Sequence, residues 1–180
     1  MATSNVYLTI KETLGADNSL GASGVVNATS GIEVLEFSFA IEQQMSSEED
    51  GRAGFVERVD KTALSIKKAA DYSSPKLFQF CCKGSQLYLA RLHVFGPRTD
   101  REYLVYEMQN VRISKYAPSG GEDLVTEEIE ITFGQLSVKF DRAGIGTARN
   151  GNGQYGSVEY AWNWVLHVPG FTPMPTEIPL

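Results

Sequence analysis

This chain is poor in the residues that do chemistry. Among 180 residues there are two histidines and two cysteines, and the cysteines are neighbours, Cys81 and Cys82. Adjacent cysteines lie closer across one peptide than the usual disulfide Cα separation, so reduced thiols are expected. They also lack the C-x₂₋₄-C spacing of a zinc site, so no metal is expected. Posing either cysteine as a nucleophile with His93 as its base leaves the orienting carboxylate and the oxyanion donors unassigned. Asp60 and Asp71 stand in no recognisable acid–base setting. Basic clusters are absent too: Lys67-Lys68 is the one adjacent pair, read as a solvated strand end, and the net charge is -6. That argues against a nucleic-acid partner. No apolar run approaches the roughly 20 residues of a membrane span. No charged, apolar leader stands at the N-terminus, so a soluble protein made in the cytoplasm is expected, leaving the cell, if it does, without a cleaved signal.

What is present is strand pattern. Val6 to Ile10 reads as a short strand, and Gly15 to Gly24 as a loop. From Ile32 to Ile41, Leu35, Phe37, Phe39 and Ile41 alternate with small or polar residues, predicting one strand with a buried face. Gln43 to Gly54 reads as a polar loop around Glu48-Glu49-Asp50. Ala63 to Lys67 is a modest strand. Leu87 to Phe95 is apolar on both faces, as a central or interface strand would be. Glu102 to Tyr116 is long, and its phase drifts at Gln109-Asn110, predicting a bulge or bend. In Thr126 to Phe140 the apolar parity switches at Gly134-Gln135, read as one inserted residue. From Val158 to Val168, Tyr160, Trp162, Trp164 and Leu166 complete an unbroken alternation, predicting a strand that needs a large apolar cover.

One short helix interrupts this pattern, at about 74–83. Ser74 is the expected N-cap, Pro75 fits the first helical position, and Gly84 suits the left-handed residue that closes a helix. The reading is a mainly β fold, a two-sheet barrel or sandwich with one helix. A single domain is expected over 1–168, followed by a proline-rich extension over 169–180 carrying Pro169, Pro173, Pro175 and Pro179.

Other motifs carry little. Gly151-Asn152-Gly153-Gln154-Tyr155-Gly156 spells G-x-G-x-x-G, but a strand follows it where a dinucleotide site needs a helix. Asn27-Ala28-Thr29 matches a glycosylation acceptor. Glu127-Glu128 reads as salt-bridge residues. With no catalytic, cofactor-binding or metal residue nominated, a protein that works through its surfaces is the expectation.

Several of these segments together resemble the Hcp family, the tube proteins of bacterial type VI secretion. They are Ile32 to Phe39, Asp71-Tyr72-Ser73-Ser74-Pro75-Lys76-Leu77, Tyr103 to Tyr116, Thr126 to Gly134 and Ser157 to Asn163. The resemblance spans about residues 5 to 165. Ala161 and Asn163 depart from the usual Gly and Asp of the last motif. It implies a homo-hexameric ring that stacks into a tube inside a contractile sheath, with a spike at its tip. Effector proteins would travel in the lumen, and export would follow sheath contraction. It implies no cofactor and no membrane insertion. Loops 43–54 and 144–156 are the expected contact regions, with Glu48, Glu49, Asp50, Arg98, Arg101, Gly151 and Gly153 as interface residues. A tail-tube protein of a phage-like particle is the near alternative. A monomeric β-sandwich module, binding a ligand on Tyr160, Trp162 and Trp164, is the distant one.

Overall fold

The architecture follows from how these alternating segments find partners. It is described from a computed structural model, over residues 5–12, 19–20, 31–45, 56–96, 101–120, 124–141 and 156–171. The strands are β1 (Val6–Lys11), β2 (Ser19–Leu20), β3 (Ile32–Glu33), β4 (Glu36–Ser38), β5 (Ile41–Met45), β6 (Val56–Lys61) and β7 (Leu64–Ala69). The helix α1 (Ser74–Lys83) follows, then β8 (Leu87–Phe95), β9 (Glu102–Ser119), β10 (Thr126–Thr132), β11 (Gln135–Asp141), β12 (Ser157–Asn163) and β13 (Val168–Pro169).

All pairing is antiparallel. In one sheet β1, which also pairs β2 and β3, lies beside β8, followed by β9, β11, β12 and β13. The second sheet runs β9, β10, β7, β4. Strand β9 belongs to both. It bends at Asn110, whose φ of 55° lies in the left-handed region that asparagine tolerates better than most residues. β5 and β6 form a separate hairpin. The sheets do not close into a barrel; the result is a β-sandwich with one helix, within the barrel-or-sandwich expectation.

One core joins the two layers. Leu8, Ile10, Leu92, Met108 and Leu136 of the first sheet meet Leu64, Ile66, Ile113, Ile129 and Ile131 of the second, all buried. Each such side chain contributes about 2 kcal/mol by leaving water. Helix α1 adds Leu77 and Phe80 to this core and sets Phe78 edge-on to Tyr116.

The parity switch at Gly134 has a different cause from the inserted residue expected. It is a corner: β10 pairs the second half of β9, β11 pairs the first half, and the chain changes sheet at Phe133-Gly134. Gly134 donates its N–H to the Gln109 carbonyl and accepts from Trp164. The inserted residue lies instead on β9, where Lys115 and Ile113 oppose the consecutive Glu130 and Ile131.

The strand expected over Ile32 to Ile41 is likewise split. Val34 still donates to Val6 of the first sheet, while Leu35 donates to Lys67 of the second. The alternation therefore continues across a change of layer. Ile32 and Val34 are buried, whereas Leu35 and Ile41 stand half exposed. Two assigned loops also contain strand: Ser19–Leu20 pairs Lys11 and Ile10, and residues 43–45 belong to β5. The long alternation after Val158 breaks at Asn163. Its Oδ1 accepts the amides of Val165 (2.9 Å) and Leu166 (3.0 Å), an Asx turn that reverses the chain. Val168 then pairs back onto Asn163.

The corner generates a test. A Cβ at Gly134 would lie 2.8 Å from Asn110 Nδ2, 3.1 Å from Asn110 Cβ and 3.0 Å from Val165 Cγ2. Gly134→Ala should therefore cost about 1–3 kcal/mol in urea unfolding. Wild-type stability would show that the corner is not tightly packed.

Candidate functional site

The helix entry holds the most polar interior of the chain. Gly84, at φ 59°, closes the last turn as expected, while Pro75 lies in the first turn but at its second residue, one position later than expected. Ser74, however, is the first helical residue, not the cap; Ser73 takes the cap position without a side-chain capping bond. Ser73 instead gives its N–H and hydroxyl to Asp71 Oδ1. Ser74 is claimed by a buried cation. Lys68 Nζ donates to Glu127 Oε2 (2.8 Å), to the Ala69 carbonyl (2.8 Å) and to Ser74 Oγ (3.2 Å), and pairs with Asp71 at 3.0 Å. The Ser74 hydroxyl donates to Glu127 Oε2, and Tyr116 OH donates to Glu127 Oε1 (2.7 Å).

Lys68, expected at a solvated strand end, is thus wholly buried, and Glu127 is 2% exposed. The reason is register: Glu127 lies directly opposite Lys68 in the β7–β10 ladder. Inward-facing positions of opposite charge meet there. The adjacent Lys67 and Glu128 face out, and Glu128 pairs with Lys115 at the surface. Burial opposes ionisation of Glu127. Hydrogen bonds from Lys68, Tyr116 and Ser74 outweigh it and hold the carboxyl below its usual range. Burial, followed by the bond to Glu127 and its charge, pushes the Tyr116 phenol up to about 12. Every polar group of this cluster has a partner, as a framework element requires.

A second constellation runs across β1, β8 and β9. His93 Nε2 lies 3.1 Å from Thr9 Oγ1, and its Nδ1 meets Glu102. Hydroxyl, imidazole and carboxylate stand in the order a nucleophile, base and orienter would take. Thr9 is buried, and neither groove described next is lined by any of the three. The arrangement staples three strands, and Arg91–Glu107 ties two of them, β8 and β9, alongside it. Nothing in the local sequence marks a partner for His93, because both partners lie on other strands.

The remaining site candidates are surfaces. A polar groove of about 540 Å³ on the outside of the second sheet is lined by Glu36, Ser38, Ser65, Lys67, Thr126 and Glu128, among others. An apolar groove of about 320 Å³ opens between the β5–β6 hairpin and β11–β12, lined by Ile41, Val59, Leu136, Val138, Tyr160 and Trp162. Trp164 forms its floor, donating its indole N–H to the Val59 carbonyl (3.1 Å). Phe133 packs edge-on to Trp164, and the Lys61 ammonium lies 4.2 Å from the Phe133 centroid. Beside the groove Val158 is 71% and Tyr160 64% exposed. The buried Trp162 N–H has no hydrogen-bond partner among the described residues. The cover expected for this row is thus present at Trp164 and missing at Val158 and Tyr160.

Of the expected interface residues, Glu48, Glu49, Asp50, Arg98, Gly151 and Gly153 lie outside the described residues, as do the G-x-G-x-x-G segment up to Tyr155 and Asn27-Ala28-Thr29. Arg101 is exposed and accepts the Gly96 amide at its carbonyl. Asp60 pairs with Arg58 and Gln44, separately from Asp71. Cys81 and Cys82 are free thiols, half-buried and exposed. Among the described residues no three metal-ligating side chains converge.

A two-layer antiparallel β-sandwich with one helix defines the fold class, and comparison supplies the family. The family model described as type VI secretion system effector, Hcp, matches residues 7–140. The chain belongs to the Hcp family. Protein hcp1 of Pseudomonas aeruginosa is 32% identical over 110 residues, which cover 59% of this chain and 65% of that protein, so just under two thirds of the relative's length is matched. The crystal structure of Hcp1 from Salmonella typhimurium superposes with a TM-score of 0.68 at 22% identity, over 92% of this chain and 99% of that one. A structure described as a type six secretion system protein reaches 0.75 at 18% identity, covering 92% and 98%. At these identities the two structures speak to the fold.

Removing one member of the buried pair strands the other. Lys68→Met should cost about 3–5 kcal/mol in chemical unfolding, and pairing it with Glu127→Leu should recover much of that loss. A surface-like loss below about 1 kcal/mol would refute burial. The pH dependence has two limbs. The depressed Glu127 carboxyl contributes stability above its unfolded pKa of about 4.3, lost as pH falls. The raised Tyr116 contributes stability below its unfolded pKa of about 10, lost as pH climbs towards 12. Tyr116→Phe should flatten the alkaline limb of a stability–pH profile; an unchanged slope would contradict the assignment.

Proposed function

We propose that this chain is a structural subunit of the type VI secretion tube. Six copies close into a ring, rings stack within a contractile sheath behind a spike, and effector proteins ride in the lumen until contraction expels the tube from the cell. The role is mechanical, not catalytic, and residues 1–168 form the ring-building domain. The observation that carries this reading is the apolar margin at Val158, Tyr160 and the neighbouring groove. A free-standing monomer rarely leaves a patch of large apolar side chains in water. Family membership supports an assembly of copies as its cover. One patch meeting a different patch on the next copy, repeated around an axis, closes a ring without needing a second protein. Strand β4, paired among the described residues on one side by β7, offers a backbone edge that a neighbour can also cover.

The test is a surface variant that leaves the core alone. Val158→Asp with Tyr160→Asp should cut the fraction of protein in rings at least tenfold by light scattering, with the unfolding midpoint unchanged. Rings that persist in the variant would place the contact elsewhere, and a wild-type monomer at all concentrations would refute the tube reading.

A further inference from the structure

The β5–β6 hairpin turns one face toward the apolar groove. Gln43 opposes Val59 and Ile41 opposes Lys61 in its ladder, and opposed residues share a face. Two residues apart along each strand, these pairs lie on the same face. Three of the four side chains line the groove. The fourth, Lys61, lays its ammonium 4.2 Å from the Phe133 centroid and 5.4 Å from that of Trp164, the groove floor.

This cation is set apart from the other lysines of the framework. Lys68, Lys76 and Lys115 each hold a carboxylate. Among the described residues none pairs with Lys61. The rings offer it π faces but no countercharge. It is half-buried, and that burial pushes its ammonium below the usual lysine range.

A surface that closes over Ile41 and Trp164 takes Lys61 further out of water. Desolvating an ammonium with no acceptor opposes such a contact, whereas desolvating it onto a carboxylate does not. We propose, resting on the ring reading above, that the face of the neighbouring copy that covers this groove carries a carboxylate and that Lys61 receives it. A second copy has carboxylates to spare, with 22 acidic against 16 basic residues. Exposed Glu36 and Glu42, for example, make no ion pair among the described residues. The roles then divide. Ile41, Val138 and Tyr160 give the contact its apolar area, which tolerates sliding. The single charge pair does not, so Lys61 sets how one copy is placed on the next. The hairpin itself stays fastened without it through the Trp164 bond to Val59.

Carbodiimide coupling tests this on the full-length protein, because the reagent joins an amine to a carboxylate in contact with it. Rings are assembled from a mixture of isotope-labelled and unlabelled chains. The expected product is an amide between Lys61 and an aspartate or glutamate, found in peptide pairs that carry one labelled and one unlabelled partner. Lys61→Met should cut the fraction of protein in rings at least tenfold by light scattering, with the unfolding midpoint little changed. Lys61→Arg, which keeps the charge, should retain at least half of the wild-type fraction. Wild-type rings in which Lys61 couples to no other chain would overturn the proposal, as would rings formed equally well by Lys61→Met. Either result leaves the tube reading standing. A wild type that forms no rings at any concentration refutes both.

Discussion

The buried pairing of Lys68 with Glu127 is the constraint on which the rest of this fold is set. A charged ammonium with no exposure is tolerable only when its donors all find acceptors, and here a carboxylate, a hydroxyl and a backbone carbonyl receive them, with Asp71 alongside. Such a pair adds little net stability over an apolar replacement. Its consequence is geometric. Lys68 opposite Glu127 pins the register of β7 on β10, and a slip of β7 by one residue would turn Lys68 outward and leave Glu127 buried without it. The same carboxylate holds Ser74 and Tyr116, so the start of α1 and the end of β9 are tied to that register.

From that anchor the layers follow. With β7 and β10 fixed, β9 passes from one sheet to the other at Asn110, and the chain crosses back beside it at Gly134. The corner leaves no room for a side chain at Gly134. β11 and β12 are then carried away from the second sheet, and the sandwich stays open there. The β5–β6 hairpin covers Trp164 through the Val59 hydrogen bond, while Val158 and Tyr160 remain in water. The exposed margin is thus a consequence of the topology. Under the proposed tube function, a neighbouring subunit would cover it.

Much of this is legible in the order of the residues, and the failures share a cause. Strand-like runs, alternating or, in β8, apolar on both faces, mark β1, β7, β8, β9, β10 and β11, and Pro75 and Gly84 mark the helix. Alternation reports which way side chains point, not which sheet the backbone joins. The pattern therefore runs unbroken through Val34-Leu35, where the chain changes layer, and through Asn163, where an Asx turn reverses it. Gly134 stands out in the sequence, but a corner and an inserted residue shift parity alike. Ser74 looks like a cap because its competing partner, Glu127, is 53 residues away. Lys68 looks solvated for the same reason: the side chains that accept from it come from another strand and from the helix entry. Long-range partners of polar residues carry no local signature, and they decide each of these cases.

Native mass spectrometry of the full-length protein tests the central claim, that this sandwich completes its surface with copies of itself. The account predicts a dominant species of six times the 19.8 kDa chain, with stacked multiples of it at higher concentration. A single chain mass that persists across the concentration range, with Tyr160 and Val158 still open to solvent, would contradict it.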